Sequence, residues 1–159
     1  MQKPTEKEVD EFLYQSNLIE GIDDPRMLAD AIDAWTWLMK QEKLDSKVIL
    51  TTHKILMRNS GLYPNERGYF RTCEVTVGGR SGLKHTLVPK AIEGWCAMAN
   101  VFTHDWKNMH VAYEQIHPFV DGNGRTGRMF MNWQRLKFGV PLLTINADAR
   151  GEYYKWFND

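Results

Sequence analysis

Cysteine is scarce in this sequence. Cys73 and Cys96 are the only two among 159 residues and form no Cys-x-x-Cys pair. A four-thiolate zinc site and a disulfide scaffold are therefore excluded. Two reduced thiols fit a cytosolic protein, and we expect a cytoplasmic location. An excess of charge is absent as well: 20 Lys and Arg stand against 20 Asp and Glu. A neutral chain lacks the broad field that draws nucleic acid or an anionic membrane, so neither is an expected partner and any anion site has to be local. No window approaches the ~20 apolar residues of a membrane span. The first residues, Met1 to Glu8, lack the apolar core of a Sec-type signal, which leaves only export routes that need none. Internal repeats and low-complexity linkers are missing too.

What is present is the composition of one soluble domain. Hydrophobic residues make up 43% and charged residues 25% of a chain too short for a second sizeable core. We expect a single domain over 1–159 with a mostly helical pattern. Thr5 with Glu8 reads as a capping box. Val9, Phe12, Leu13, Ser16 and Glu20 follow at helical spacing, so a first helix should run to Ile19 or Glu20 and stop at Gly21. Asp24-Pro25 opens a second helix with Leu28, Ala31, Ile32, Trp35, Leu38 and Met39 inward. Ser46 should cap a third. Others are expected from Pro89 (Ile92, Trp95, Met98 and Phe102 inward), in the approach to His117, from Arg125 to Phe138, and around Tyr153, Tyr154, Trp156 and Phe157. Two β-prone runs, Glu74–Val77 and Lys84–Val88, flank a glycine cluster and read as a hairpin. The expected fold class is all-α with this one small hairpin.

One segment carries chemistry: His117-Pro118-Phe119-Val120-Asp121-Gly122-Asn123-Gly124-Arg125-Thr126-Gly127-Arg128. Gly122 and Gly124 permit a tight turn and close approach to a ligand. A helix starting near Asn123 or Gly124 points unpaired N–H groups and its positive dipole end at that ligand, which suits phosphate. Arg125 and Arg128 are three apart and share a helix face, so they suit a polyphosphate better than a monoanion. Asp121 adds the single hard carboxylate with which Mg²⁺ is usually held beside phosphates. His117 can take a proton near neutral pH. Taken singly, each has a plain alternative: a structural histidine, an Asp-Gly turn, solvated arginines. Their conjunction at one helix start points to transfer from a nucleotide to an acceptor hydroxyl.

The segment resembles the signature of the Fic family (filamentation induced by cyclic AMP), His-Pro-Phe-x-[Asp/Glu]-Gly-Asn-Gly-Arg-x-x-Arg, at all nine specified positions. The helical surroundings and the preceding hairpin are similar to the family core as well. The complete Gly-Asn-Gly-Arg-x-x-Arg form implies AMP transfer rather than the phosphorylation of Doc-type relatives. The resemblance implies a Fic-type helical core, ATP and Mg²⁺, and a target protein bearing a Ser, Thr or Tyr hydroxyl. His117 would be the general base, and Phe119 the anchor of its loop. Asp121 would bind Mg²⁺. Gly122, Asn123 and Gly124 would hold phosphate through backbone N–H groups and the Asn side chain. Arg125 would meet the β-phosphate and Arg128 the γ-phosphate.

A second match is Ser16-Asn17-Leu18-Ile19-Glu20-Gly21, which is similar to the family's inhibitory pattern [Ser/Thr]-x-x-x-Glu-[Gly/Asn]. Read alone it is an ordinary helix end. Its place before the core implies an N-terminal inhibitory helix over 1–22 and a core over 23–159, with Glu20 in a bidentate pair on Arg128. The hairpin, about 74–88, matches the family's flap, where a target segment would add as a strand. Thr76 and Val77 are the expected contact edge; a merely structural hairpin is the alternative. Some relatives form homodimers, so a homodimer is one assembly open to the chain. The rival functions are AMP removal, another nucleotide donor, and a non-catalytic nucleotide-binding interaction module. His104, His110 and His117 are spaced too widely for one metal ion. Asn132, Trp133, Tyr153 and Tyr154 are open to two readings, adenine pocket or core.

Overall fold

Local signals set most helix boundaries. The computed structural model describes residues 3–158, so the expectations touching Met1, Gln2 and Asp159 lie outside the described residues. Thr5 caps α1 (Glu6–Ile19): Glu8 N donates to Thr5 Oγ1 at 3.1 Å, and Thr5 N to Glu8 Oε1 at 3.0 Å. Gly21, at φ 71°, carries the chain out of it. Asp24 accepts from Arg26 N at 2.8 Å and starts α2 (Pro25–Leu38), with Pro25 in the first turn. The cap of α3 (Ser46–Leu56) corrects an expectation. Asp45 is the extended residue whose carboxylate accepts from Val48 N at 2.9 Å, and Ser46 is already helical.

The hairpin is smaller than expected. β1 (Thr76–Val77) and β2 (Arg80–Ser81) pair antiparallel, Val77 opposite Arg80, around Gly78 and Gly79 at φ 56° and 79°. Two consecutive left-handed residues are what a type I′ hairpin turn requires. Lys84–Val88 is no strand: His85–Leu87 is a 3₁₀ turn leading into α4 (Val88–Val101). The glycine cluster thus contributes the turn and borders the second strand. Gly82 N donates to Val75 O at 2.8 Å. The alternation of an antiparallel pair then turns the main-chain groups of Val77 and Arg80 inward and those of Thr76 and Ser81 outward.

α5 (Trp106–Ile116) and α6 (Asn123–Phe138) cross closely. A Cβ on Gly127 would stand 3.0 Å from ring atoms of His110 and Tyr113. α6 is buried on nearly every side although it is rich in polar residues. Several of those residues find partners, as burial favours. Asn132 exchanges two hydrogen bonds with the main chain of Leu143, Gln134 donates to Ala99 O, and Thr126 Oγ1 donates to Gly122 O. Asn132 and Trp133 therefore belong to the core. On α4 the inward face is Ile92, Trp95, Cys96 and Ala99, so Met98 and Phe102, expected inward, are exposed instead. α1 is docked through Phe12 and Leu13, with Phe12 edge-on to Trp35 at 5.4 Å. Burying those two side chains is worth ~3–6 kcal/mol relative to exposing them. α7 (Arg150–Tyr154) runs on into a 3₁₀ turn ending at Phe157. Among the described residues no helix is long and apolar enough to cross a membrane.

Candidate active site

The loop from His117 to Gly122 is built by its own sequence. Pro118 disfavours helix at the residue before it, and α5 stops at Ile116. His117 takes left-handed backbone, φ 50°, unlike any other described residue that is not glycine. Phe119 is fully buried and stacked on His53, ring centroids 3.6 Å apart. Asn123 clamps the same residue: Phe119 N donates to Asn123 Oδ1 at 2.8 Å, and Asn123 Nδ2 to Phe119 O at 2.9 Å. Its side chain is thus committed to the loop, which corrects the expectation that it faces phosphate. Gly122 is needed twice. Its φ is 89°, and a Cβ there would stand 2.8 Å from Met57 Sδ. His53 accepts from Gly68 N at Nδ1, so Nε2 donates to Asp121 O at 2.8 Å. Burial pushes His53 down to about 4, which keeps it neutral in this role.

A cavity of ≈ 980 Å³ opens at the N-terminus of α6. His117, Asp121, Gly122, Asn123, Gly124, Arg125 and Arg128 all line it, joined by Glu20 from α1 and Val77 from the hairpin. Ser16 sits behind Arg128, and Thr76 lies on the outer strand edge rather than on the cavity wall. Tyr153 and Tyr154 line the cavity, unlike Asn132 and Trp133.

The two arginines differ in what they meet. Arg125 has its side chain 3% exposed, and its Nε and Nη1 have no hydrogen-bond partner. Only Nη2 approaches a carboxylate, Asp121 Oδ2, at 3.5 Å. Burial lowers its pKa from the ordinary value. Arg128, 1% exposed, has a partner at each of its three nitrogens. Its Nε donates to Ser16 Oγ at 2.8 Å, Nη2 to Glu20 Oε1 at 2.8 Å and Ser16 O at 3.1 Å, and Nη1 to Tyr153 OH at 3.2 Å. The contact with Glu20 is therefore a single hydrogen-bonded ion pair, not the bidentate one expected, because Ser16 and Tyr153 engage the other nitrogens. The Asp121 side chain is 64% exposed, and its Oδ1 accepts from Gly122 N at 2.8 Å.

Burial holds His117 below the ordinary imidazole range, and the Arg71 charge adds to this. Sequence reasoning missed three side chains of the site. Glu114 lines the cavity one turn before His117, its Oε1 buried without a partner, and burial pushes it up to about 7. Its i, i+3 spacing to His117 was the available signal. His53 and Arg71 come from distant segments and left none.

The model of the Fic/DOC family matches residues 43–134, which leaves α1 outside. A protein adenylyltransferase Fic from Culex quinquefasciatus is 30% identical over 157 residues, 94% of this chain and 29% of that protein. One from Nematostella vectensis is 27% identical over 161 residues, 92% of this chain and 34% of that protein. The chain thus spans about a third of the length of these relatives. Among solved structures, a Fic-domain-containing signaling protein from Bacteroides thetaiotaomicron superposes with a TM-score of 0.78 at 17% identity, over 94% of this chain and 70% of that one. Fic-1 from C. elegans gives 0.77 at 20% identity, over 98% and 58%. At such identities the structures speak to the fold, which is the same helical core. With its signature segment inside a family match that covers more than half of its residues, the chain belongs to the Fic/DOC family.

Proposed function

We propose that the chain is a protein adenylyltransferase, one domain in which α1 inhibits the core behind it. It transfers AMP from ATP to a Ser, Thr or Tyr hydroxyl of a target protein. The observation that carries this reading is the contrast on α6: Arg125 is a buried guanidinium with two nitrogens unpartnered and only a long contact to Asp121, while Arg128 is held by Glu20. A polyphosphate answers the first and competes for the second. The names of the Culex and Nematostella relatives support the group transferred.

The donor's phosphates lie on the first-turn N–H groups of α6, which lack intrahelical acceptors, and on Arg125. Gly122 and Gly124 let them approach, and Asn123 contributes main chain only. The target hydroxyl gives its proton to the His117 ring as its oxygen attacks the α-phosphorus. The bond from that phosphorus to the bridging oxygen breaks, and pyrophosphate leaves. His117 is neutral at physiological pH, as a base has to be. Asp121 fits Mg²⁺: its carboxylate is exposed on the cavity wall, and one such ligand suffices where phosphate oxygens and water complete the shell. When bound, the ion would offset phosphate charge. An extended target segment pairs with the outward main-chain groups of Thr76, and Val77 faces the cavity. With Glu20 seated, Arg128 cannot take the γ-phosphate. The reaction is placed in the cytoplasm, and a homodimer would be one means of covering or freeing α1.

Label transfer from α-³²P-ATP with Mg²⁺ tests this, in wild type, Glu20→Gly and Glu20→Gly/His117→Ala, alone and with cell lysate. Label that appears with Glu20→Gly and vanishes in the double variant is the expected result. No label in any folded protein would shift the reading to another donor or to AMP removal.

A further inference from the structure

Arg71 is 3% exposed and stands between the hairpin and the His117 loop. Its guanidinium donates to four main-chain carbonyls. Nε reaches His117 O at 2.6 Å, Nη1 reaches Cys73 O at 2.9 Å, and Nη2 reaches Leu83 O at 2.5 Å and Ile116 O at 3.2 Å. Its own N–H donates to Pro118 O at 2.9 Å. Two of these acceptors lie at the C-terminal end of α5, where carbonyls lack intrahelical donors and a cation is favoured by the helix dipole. The other two stand on either side of the hairpin: Cys73 precedes β1 and Leu83 follows β2. Four acceptors exceed the three donors of an ammonium group, whereas the five N–H groups of a guanidinium can serve them all.

His117 needs this hold. Left-handed backbone costs a residue with a Cβ about 1–2 kcal/mol, so the conformation persists only where its surroundings impose it. Phe70 packs on Phe119, ring centroids 5.9 Å apart, and the segment 70–73 thus runs alongside 116–119. Arg71 acts on the imidazole through charge as well, in the same direction as burial.

We propose that Arg71 is a positioning residue: its guanidinium fastens both limbs of the hairpin to the main chain of His117, so that a segment docked on the hairpin edge and the imidazole keep one register. This rests on the proposed function only in naming His117 as the proton acceptor and the hairpin as the docking edge. A residue that merely caps α5 would leave hairpin and imidazole independent.

The test is an NMR titration of the uniformly ¹⁵N-labelled wild-type protein, following the ring nitrogens of His117 together with the hairpin amides of Gly78, Gly79 and Gly82. Those amides are expected to shift with the His117 midpoint. In Arg71→Lys, which keeps the charge and loses the fork, the midpoint stays near its wild-type value but the amides no longer follow it. In Arg71→Met the midpoint also rises, because a charge that disfavours the imidazolium is gone. In a Glu20→Gly background, Arg71→Lys lowers label transfer from α-³²P-ATP to lysate proteins ~10-fold while ATP binding changes less than ~2-fold. Hairpin amides that ignore His117 in wild type, or still follow it in folded Arg71→Lys, overturn the proposal. Should Arg71→Lys fail to fold, the wild-type titration decides alone. Absence of AMP transfer in Glu20→Gly with Arg71 intact counts against the proposed function and leaves the titration to judge Arg71.

Discussion

Glu20 reaches Arg128 across Gly124: a Cβ built on Gly124 would stand 2.7 Å from Glu20 Oε1 and 2.9 Å from Arg128 Nη1. Alanine at this helical position would ordinarily stabilise by about 1 kcal/mol. Here it meets two atoms of a charge pair, and stranding a buried guanidinium costs more, about 3–5 kcal/mol where the partner is lost outright. We predict that Gly124→Ala lowers stability by roughly 1–3 kcal/mol, read by urea unfolding. A gain in stability would show that Glu20 reaches Arg128 by another path.

Ser16 offers a milder way to loosen the same contact. Its hydroxyl accepts from Arg128 Nε inside the protein, and a hydrogen bond to a charged group is worth about 1.5–3 kcal/mol. Ser16→Ala is expected to weaken the docking of α1 while leaving Glu20 in place. Basal AMP transfer in the label assay should then fall between wild type and Glu20→Gly. Equal transfer by Ser16→Ala and wild type would mean that the serine does not support the brake.

Arg125 presents the opposite balance. A buried guanidinium with two unpartnered nitrogens opposes folding. Arg125→Met fills the same space without charge. It should raise stability by about 1–3 kcal/mol and abolish ATP binding, measured by calorimetric titration. ATP that binds Arg125→Met as it binds wild type would place the phosphates elsewhere.

Three buried groups shift far enough to shape the dependence of stability on pH, and His117, lowered in the same direction as the two histidines among them, adds to the rising side. Burial pushes His53 down to about 4 and His110 to about 3, both from 6.5. Between those values and 6.5 the unfolded chain binds protons that the folded one does not, so stability rises with pH through that window. Burial raises Glu114 from 4.5 to about 7, so here the folded chain holds the extra proton, and this contribution falls with pH from about 4.5 to 7. Two rising terms against one falling term put the joint maximum of the three near pH 6.5. Glu114→Gln removes the falling term. Unfolding free energies measured from pH 4 to 8 should rise more steeply in this variant and stay level above about pH 6.5. Parallel profiles for wild type and Glu114→Gln would show that the carboxyl is not protonated in the folded protein.

Much of the site is legible in the sequence because its parts are contiguous. Pro118 ends one helix, Gly122 turns the chain, and Arg125 and Arg128 follow on the next, so twelve consecutive residues carry both the geometry and the chemistry. The capping box at Thr5 and the Asp24-Pro25 start are legible for the same local reason. What escapes is whatever depends on distant segments. Arg71 lies 46 positions before His117, and nothing in its neighbourhood marks it as the clamp on that carbonyl. The Asn123 amide could be placed on the loop or on a ligand, and only the fold decides between them. The second strand follows Gly78-Gly79 at once because two left-handed glycines impose an immediate turn, a demand that the β-prone residues at Lys84–Val88 obscure in the sequence.

Glu20 sits at the very end of α1, and only the short turn to Asp24 separates it from α2. A carboxylate so tethered does not dilute. Its effective concentration at Arg128 is set by the length and stiffness of the chain that carries it, roughly millimolar or higher for a link this short. On the proposed reading α1 is an intramolecular competitor of the ATP γ-phosphate. Diluting the protein leaves the competition unchanged. Raising ATP shifts it only once the nucleotide's concentration relative to its Kd exceeds that built-in excess. Lengthening the tether between α1 and α2 would weaken inhibition without altering a single contact of the seated state.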